Sequence, residues 1–421
     1  MAVRLNNSGI CNFITDTELE RIEPQVSLAA KMLDEEMGSK SWHNLPQEFD
    51  SNELEAILQA AEEIKNRADV FIVIGIGGSS LGAKAAIEWL RSIFYNEKSQ
   101  LKIYFAGNNL SASYLSNVIA CCEDKEVYIN IVSKSGETLE PMLAFGIFRN
   151  LLEQKYGKIE ASKRIFVTTD EEKGTLLRMA KDNGYRRFVI PEDIGGRYSV
   201  LTAVGLLPMA VAGIDIRQVM NGARNACLYL SDKKFPENES LIYAAYRNCL
   251  NRKGKRIEVL IGLEPDFHSF AEWFKQLFAE SEGKDGKGIF PTAGIYSTDL
   301  HALGQFIQDS GSLIFETVID VLNSNVDMCA ESECIHNFGL AHSSLSQINK
   351  KVLEGALKAH VDAAVPSIVL RIPQVNEFEY GYLIYFFEKA CAISALVLGV
   401  NPFNEPGVLA YKLKTAKLLQ E

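Results

Sequence analysis

Short apolar runs that end in glycine or polar residues alternate with helical stretches along most of this chain. The first run, VFIVIGIGG at 70–78, is continuously apolar, which is typical of a strand buried on both faces. Helical stretches such as 81–94 and 142–156 separate it from similar runs further on. Those runs lie at 101–109, 126–136, 164–170 and 186–191. Because strands that alternate with helices pair through parallel crossovers, the pattern predicts a doubly wound α/β sheet.

The same pattern begins again in the second half of the chain. Its apolar runs lie at 256–265, 288–297, 312–320 and 367–373. We therefore predict an α/β protein with two doubly wound parallel-sheet subdomains, each an α/β/α sandwich, and with N-terminal, linking and C-terminal helices. The predicted segments are 1–65 (helical), 66–195 (first sheet), 196–235 (linking helices), 236–395 (second sheet) and 396–421 (C-terminal helix).

Charge and composition limit the classes of partner. The 43 Lys and Arg against 54 Asp and Glu give a net charge of −11, which argues against sequence-independent binding of nucleic acid. We see no signal-peptide pattern at the start and no apolar run of the roughly 18 residues that a membrane span needs. The best candidate stretch, 201–214, is shorter and contains Pro208. The eight cysteines are scattered, so we expect reduced thiols in a cytoplasmic protein with no membrane partner.

A glycine-rich loop, GIGGSSLG at 75–82, follows the first predicted strand. Its glycines let backbone N–H groups approach a ligand, and the start of the next helix favours an anion. Ser80 stands where the third glycine of a dinucleotide-binding loop belongs, and no Walker lysine follows. The loop indicates either a phosphate site or a tight turn that holds no ligand.

A second loop of this kind, IVSKSGETLEP at 131–141, follows another predicted strand. It offers hydroxyls from Ser133, Ser135 and Thr138 beside a helix start, and Lys134 adds a cation. Hydroxyls and unpaired N–H groups at a helix start together can hold a phosphate. Loops at the carboxyl edge of one sheet can contact the same ligand. The alternative is plain N-capping of the helix by serine or threonine.

Other polar segments have two interpretations each. GGRYSV places Arg197 behind two glycines, either against a ligand or in an exposed loop. Glu280 lies in ESEGK, which by composition is a solvated loop after a helix. His301 is by default structural. Lys412 is by default solvated, on an amphipathic helix that Pro406 begins.

One group of cysteines and histidines could be interpreted as a zinc site. The group is Cys329, Cys334, His336 and His342. Its spacing matches no common structural zinc site, and no second ligand pair brackets it. We expect no metal ion there.

Taken together, these motifs resemble the glucose-6-phosphate isomerase (phosphoglucose isomerase) family in its shorter bacterial form. GIGGSSLG, SKSGET, GGRYSV, ESEGK, HALGQ and NPFNEPGVLAYK follow one another in the family order. GGRYS and the first glutamate of ESEGK are the specific markers. The resemblance implies two sugar-isomerase (SIS) subdomains, interconversion of glucose 6-phosphate and fructose 6-phosphate, and no cofactor.

The resemblance also implies roles for individual side chains. Glu280 would move a proton between C2 and C1 of the sugar. His301 would open the sugar ring, with Lys412 near the ring oxygen. Arg197 would lie beside the developing negative charge, and Gln276 would contact the substrate. The phosphate would bind hydroxyls and backbone N–H groups of Gly78, Ser79, Ser133, Lys134, Ser135 and Thr138.

The resemblance further implies a homodimer in which His301 enters the neighbouring subunit's active site, and a two-fold dimer is also the commonest oligomer. This chain has Glu405 where the family often has glutamine, and the segment 329–348 matches the family poorly. Two alternatives stay open: a SIS-type sugar-phosphate sensor without turnover, and a relaxed isomerase that also accepts mannose 6-phosphate. The joint presence of the acid, base and cationic residues argues against the sensor.

Overall fold

A computed structural model describes residues 3–35, 41–329 and 343–419 of this protein. They group into two units, one of Met1–Gly38 with Leu228–Glu421 and the other of Ser39–Cys227. Three of the four candidate zinc ligands, Cys334, His336 and His342, lie outside the described residues, as does most of the poorly matching segment. The division into five segments is finer than these two units and stays a prediction.

The strands and helices follow one another in chain order. The strands are β1 (Arg4–Asn6), β2 (Val70–Ile74), β3 (Lys102–Ala106), β4 (Val127–Val132), β5 (Ile165–Asp170), β6 (Arg186–Ile190), β7 (Ile257–Gly262), β8 (Phe290–Ile295), β9 (Ile314–Val321) and β10 (Ser367–Ile372). The helices are α1 (Asp16–Glu35), α2 (Ser41–Glu48), α3 (Ser51–Arg67), α4 (Leu81–Arg91), α5 (Tyr95–Lys98), α6 (Ala112–Ala120), α7 (Leu139–Tyr156), α8 (Lys158–Lys163), α9 (Thr175–Asn183), α10 (Ala203–Val211), α11 (Ile216–Asp232), α12 (Glu239–Arg252), α13 (His268–Glu282), α14 (Gly304–Asp309), α15 (Leu345–Asp362), α16 (Glu377–Val397) and α17 (Pro406–Leu418).

The unit of Ser39–Cys227 is built on a parallel sheet of order β3-β2-β4-β5-β6. All side chains of β2, β4 and β5 are buried, because helices cover both faces of a parallel sheet. Phe145, Phe148 and Leu152 of α7 pack against the strand residues in this core. The predicted doubly wound sheet is confirmed here.

The other unit has a sheet of order β1-β10-β9-β7-β8. Strands β7 to β10 are parallel and correspond to the predicted runs. The prediction that residues 1 to about 65 are all helical is wrong at β1, which pairs antiparallel with β10 through Arg4 and Arg371. Three residues are too few to show a strand's alternation, so only the tertiary pairing reveals β1.

Helix α16 lies in the interior of its unit. It is long and apolar enough to cross a membrane, yet 89% of its most apolar window is buried within the protein. Among the described residues, α16 rather than the predicted stretch 201–214 is the helix of sufficient length and apolar composition. Its Glu388 and Lys389 interrupt the apolar run, yet both are buried. Burial on all sides explains why the helix is apolar all round.

The topology determines where loops collect. Strand β2 pairs with both β3 and β4, so the chain leaves β2 and β4 toward opposite faces of the sheet. Ligands of open parallel sheets bind at this point, outside the carboxyl ends of the strands.

The loop after β2 also lies close to the segment around Gly196. A Cβ on Gly78 would overlap the carbonyl group of Gly196 and lie 2.9 Å from the amide nitrogen of Arg197.

The substitution Gly78→Ala tests this close approach. Because backbone atoms rather than a flexible side chain fill the space, we expect the unfolding free energy to fall by about 1–3 kcal/mol, as overpacking does. Gly146→Ala in α7 is the matched control, since nothing lies within 4 Å of its added Cβ. It should be neutral or stabilise by up to about 1 kcal/mol. Denaturant unfolding of both variants measures this, and equal stability of the two would contradict the close approach.

Candidate active site

The loop after β2 forms one wall of the candidate site. A 3₁₀ turn at Gly77–Ser79 joins the strand to α4, and Ser80 occupies the N-cap position of that helix. The Ser80 side chain makes no capping hydrogen bond and instead donates to Gly77 O at 3.4 Å. Gly78 is buried and Ser79 is half-buried at the turn. This part of the loop therefore presents backbone and hydroxyl groups rather than large side chains.

The loop after β4 is shaped by its own hydroxyls. Ser133 Oγ accepts from Gly136 N at 3.1 Å, and Ser135 Oγ accepts from Glu137 N at 3.1 Å. Thr138 is the N-cap residue of α7, but its side chain makes no capping hydrogen bond. The N-capping alternative therefore does not account for the Thr138 hydroxyl. The loop presents hydroxyls beside a helix start, which is the arrangement that suits an anion.

Lys134 connects this loop to the segment before Arg197. Its ammonium donates to the backbone carbonyls of Glu192 and of Ile194, the latter at 3.2 Å. Burial is the largest influence on Lys134 and lowers the pKa of its ammonium, against the opposing effect of nearby carboxylates such as Asp170. The Lys134 side chain thus holds the backbone in place, a structural task that the sequence did not indicate.

Arg197 lies in a 3₁₀ turn at Gly196–Tyr198 and is only 2% exposed. This burial excludes the interpretation of an exposed loop arginine. Ser199 was not among the predicted site residues, yet its Oγ hydrogen-bonds Gly196 O at 2.8 Å and Gly78 O at 3.5 Å. It therefore joins the two loops, and its place inside GGRYS was the one signal that could have identified it.

Glu280 and Gln276 lie on α13 in the other unit. They are four residues apart and face the same side of the helix, where Gln276 Nε2 donates to Glu280 Oε1 at 3.2 Å. The interpretation of ESEGK as a loop after a helix is wrong for Glu280, because α13 runs to Glu282. Glu280 therefore lies in the last turn of the helix, and it is half-buried.

Lys284 holds the chain that follows α13. Its Nζ donates to Ser281 O at 3.0 Å and to Asn401 O. The second contact links the end of α13 to the turn that leads into α17. Composition indicates a solvated loop at this position, so the sequence does not predict this contact.

The segments of His301 and Lys412 lie on the surface of this unit. His301 ends a 3₁₀ turn at Thr298–His301 and is exposed. Pro406 begins α17 as predicted, but the helix buries none of its described side chains, and Lys412 is exposed. Glu405 takes the N-cap position without a side-chain capping bond.

The predicted site residues are divided between the two units of the chain. The structure brings one set to a single edge of the first sheet: Gly78, Ser79, Ser133, Lys134, Ser135, Thr138 and Arg197. Gln276 and Glu280 make a second group, and His301 and Lys412 lie on two further segments of that unit. In the described part of the chain, no group of three or more His, Cys, Asp or Glu side chains is arranged to hold a metal ion.

Known proteins resemble this chain over nearly its whole length. The family model for phosphoglucose isomerase matches residues 43–421. The glucose-6-phosphate isomerase of Caldanaerobacter subterraneus subsp. tengcongensis is 49% identical over 97% of this chain and 93% of its own length. The glucose-6-phosphate isomerase of Staphylococcus haemolyticus is 47% identical over 99% of this chain and 96% of its own length.

Solved structures show the same fold. A hypothetical protein from Thermus thermophilus superposes with a TM-score of 0.90 at 26% identity, and all of both chains is covered. A glucose-6-phosphate isomerase from Chlamydia trachomatis gives 0.75 at 20% identity, covering 94% of this chain and 78% of its own. With identities near one half over almost the whole length, this chain belongs to the phosphoglucose isomerase family.

Proposed function

We propose that this protein interconverts glucose 6-phosphate and fructose 6-phosphate. The observation that carries the proposal is 49% identity to a glucose-6-phosphate isomerase over 97% of this chain and 93% of that enzyme. The chain also keeps an acid/base and cationic set that binding alone does not need, namely Glu280, His301, Lys412 and Arg197. No feature of the described residues favours the sensor or the relaxed isomerase.

The phosphate of the substrate binds at the loops after β2 and β4. Ser133 and Ser135 accept hydrogen bonds from amides of their own loop, so each hydroxyl still has a proton to donate to a phosphate oxygen. The Thr138 hydroxyl and the first N–H groups of α7 add donors, and the helix dipole favours the negative charge. The Lys134 ammonium, bound to backbone carbonyls, acts mainly by holding the loop in place.

Isomerisation requires that a proton leave C2 and return at C1 through a cis-enediol intermediate. Glu280 is the base, and one carboxylate is sufficient because the proton moves on a single face of the substrate. Gln276 Nε2 orients this carboxylate. The Gln276 Oε1 is buried and has no hydrogen-bond partner among the described residues, so it can accept from a substrate hydroxyl.

The remaining steps need a ring-opening group and a cation. His301 moves the proton that opens the ring, and Lys412 acts near the ring oxygen. Arg197 stabilises the negative charge of the enediolate, and its burial strengthens this effect because little water screens it there.

We further propose a homodimer in which His301 completes the neighbouring subunit's active site. His301 is exposed, and beside it Leu303 and Phe306 are 39% and 58% exposed. Apolar side chains at such a position favour contact with a second copy of the chain. A cytoplasmic location, with a sugar phosphate as ligand and no nucleic-acid or membrane partner, stays part of the proposal.

Glu280→Gln tests the assignment of Glu280 as the base. Coupled assays measure turnover of glucose 6-phosphate, fructose 6-phosphate and mannose 6-phosphate. The amide keeps the size of the side chain but cannot take a proton, so kcat should fall by about 10²–10⁴ or more. Binding of a phosphorylated substrate analogue should survive. Glu272→Gln on the same helix, where Glu272 pairs with Lys275, should remain close to the parent. If Glu280→Gln released an isotopic label from C2 of the substrate to solvent as fast as the parent protein, Glu280 would not be the base.

The double substitution Ser133→Ala with Thr138→Ala tests the phosphate site. Each lost hydrogen bond is worth about 0.5–1.5 kcal/mol, and more toward a charged phosphate, so KM should rise several-fold and inhibition by inorganic phosphate should weaken in parallel. Ser111→Ala is the control, because Ser111 caps α6 by accepting from Tyr114 N at 3.3 Å. That change should cost about 0.5–2 kcal/mol of stability and leave KM alone. A double variant with parental KM would place the phosphate elsewhere.

Glu405→Gln tests the departure from the family. Because Glu405 is exposed at the N-cap of α17, we expect its charge to interact with the helix dipole rather than with the substrate. KM should then be unchanged at low and at high salt, while stability falls by a few tenths of a kcal/mol, about the size of an exposed dipole interaction. Steady-state kinetics at two salt concentrations decide this. A KM that drops several-fold at low salt only would show that Glu405 faces the phosphate.

A further inference from the structure

A buried ion-pair network holds the last turn of α13. Arg247 of α12 donates through Nη2 to Glu282 Oε2 at 2.6 Å and pairs through Nη1 with Glu258 of β7. All three side chains are fully buried. Glu282 is the final residue of α13, two positions after Glu280.

The surroundings of Arg247 fix its position on both sides. Glu258 Oε1 also accepts from Tyr243 OH and from Thr317 Oγ1, each at 2.6 Å. The guanidinium of Arg247 lies over the ring of Phe278, 4.1 Å from its centroid. Arg247 thus contacts α13 at Phe278 and at Glu282, on either side of Glu280 in sequence, and it also pairs with Glu258 of the sheet.

Stability alone is a weak reason for such a network. Removing three charged groups from water opposes their mutual attraction, and apolar replacements of a buried ion pair are often no less stable. The end of a helix, by contrast, lacks half of its backbone hydrogen bonds and frays unless something holds it. Glu280 lies in such a turn, and a proton-transferring carboxylate must be held to within a fraction of an ångström.

We propose that the Arg247–Glu282 ion pair is a positioning device that holds the Glu280 carboxylate in its working geometry. The pair acts through the backbone of the last turn of α13 and touches no substrate atom. The proposal rests on the proposed isomerase function, in which Glu280 is the base.

Two matched variants of the full-length protein test this. Glu282→Gln and Glu258→Gln each remove one carboxylate from Arg247, and each leaves it with the other. We expect both variants to lose similar thermal stability. Only Glu282→Gln loosens α13 directly, so its kcat should fall by about tenfold or more, toward the roughly hundredfold that a 1 Å misplacement costs. Its KM should stay within about threefold of the parent, because the phosphate loops are unchanged.

The outcomes separate the two proposals. If the parent protein shows no isomerase activity, the proposed function fails and the positioning proposal fails with it. If the parent is active and Glu282→Gln keeps its kcat, or if both variants lose kcat in step with their stability, the positioning proposal alone is overturned. A rise in KM without a fall in kcat also overturns it. Should Glu282→Gln not fold, Glu282→Asp keeps the charge but shortens the side chain, and the same split between kcat and KM applies to it.

Discussion

The crossover rule of parallel strands determines where this protein places the loops of its candidate site. Strands that run parallel and are buried on both faces must be joined through helices, so their following loops collect at one edge of the sheet. Because β2 pairs with β3 on one side and β4 on the other, the loops of GIGGSSLG and SKSGET open at the same position. The buried arginine turn at Gly196–Tyr198 then closes on the first loop by direct backbone contact.

Around this edge, polar groups serve mainly to hold backbone. Lys134 and Ser199 bond to main-chain atoms of neighbouring segments, and Ser133 bonds to an amide of its own loop. In the other unit, Lys284 does the same for the end of α13, and Arg247 holds that end through a side-chain carboxylate. A rigid loop pays the cost of ordering donors before a ligand arrives, which is why preorganised donors bind charge well.

Much of the fold followed from local pattern. Short apolar runs between helical stretches predicted β2 to β10. The pattern is clearest at β2, whose five residues are all apolar and all buried. The motif order predicted the candidate site residues. Local pattern could not show that Arg197 is buried, that Glu280 lies inside a helix, or that Ser199 joins two loops. The burial of Arg197 and the Ser199 link depend on contacts between residues far apart in sequence. The end of α13 was missed because the glycines that follow Glu282 gave the segment the composition of a loop.

The sequence by itself determined the two sheets and the family and indicated a set of candidate site residues, because hydrophobic periodicity and motif order are local properties of the chain. Only the tertiary structure shows the pairing of β1 with β10, the close contact at Gly78 and the Arg247 network around Glu282. The physical reason is the same in each case. Strand pairing, backbone overlap and the burial of a charge are defined by neighbours in space, and a linear sequence does not specify which residues those are.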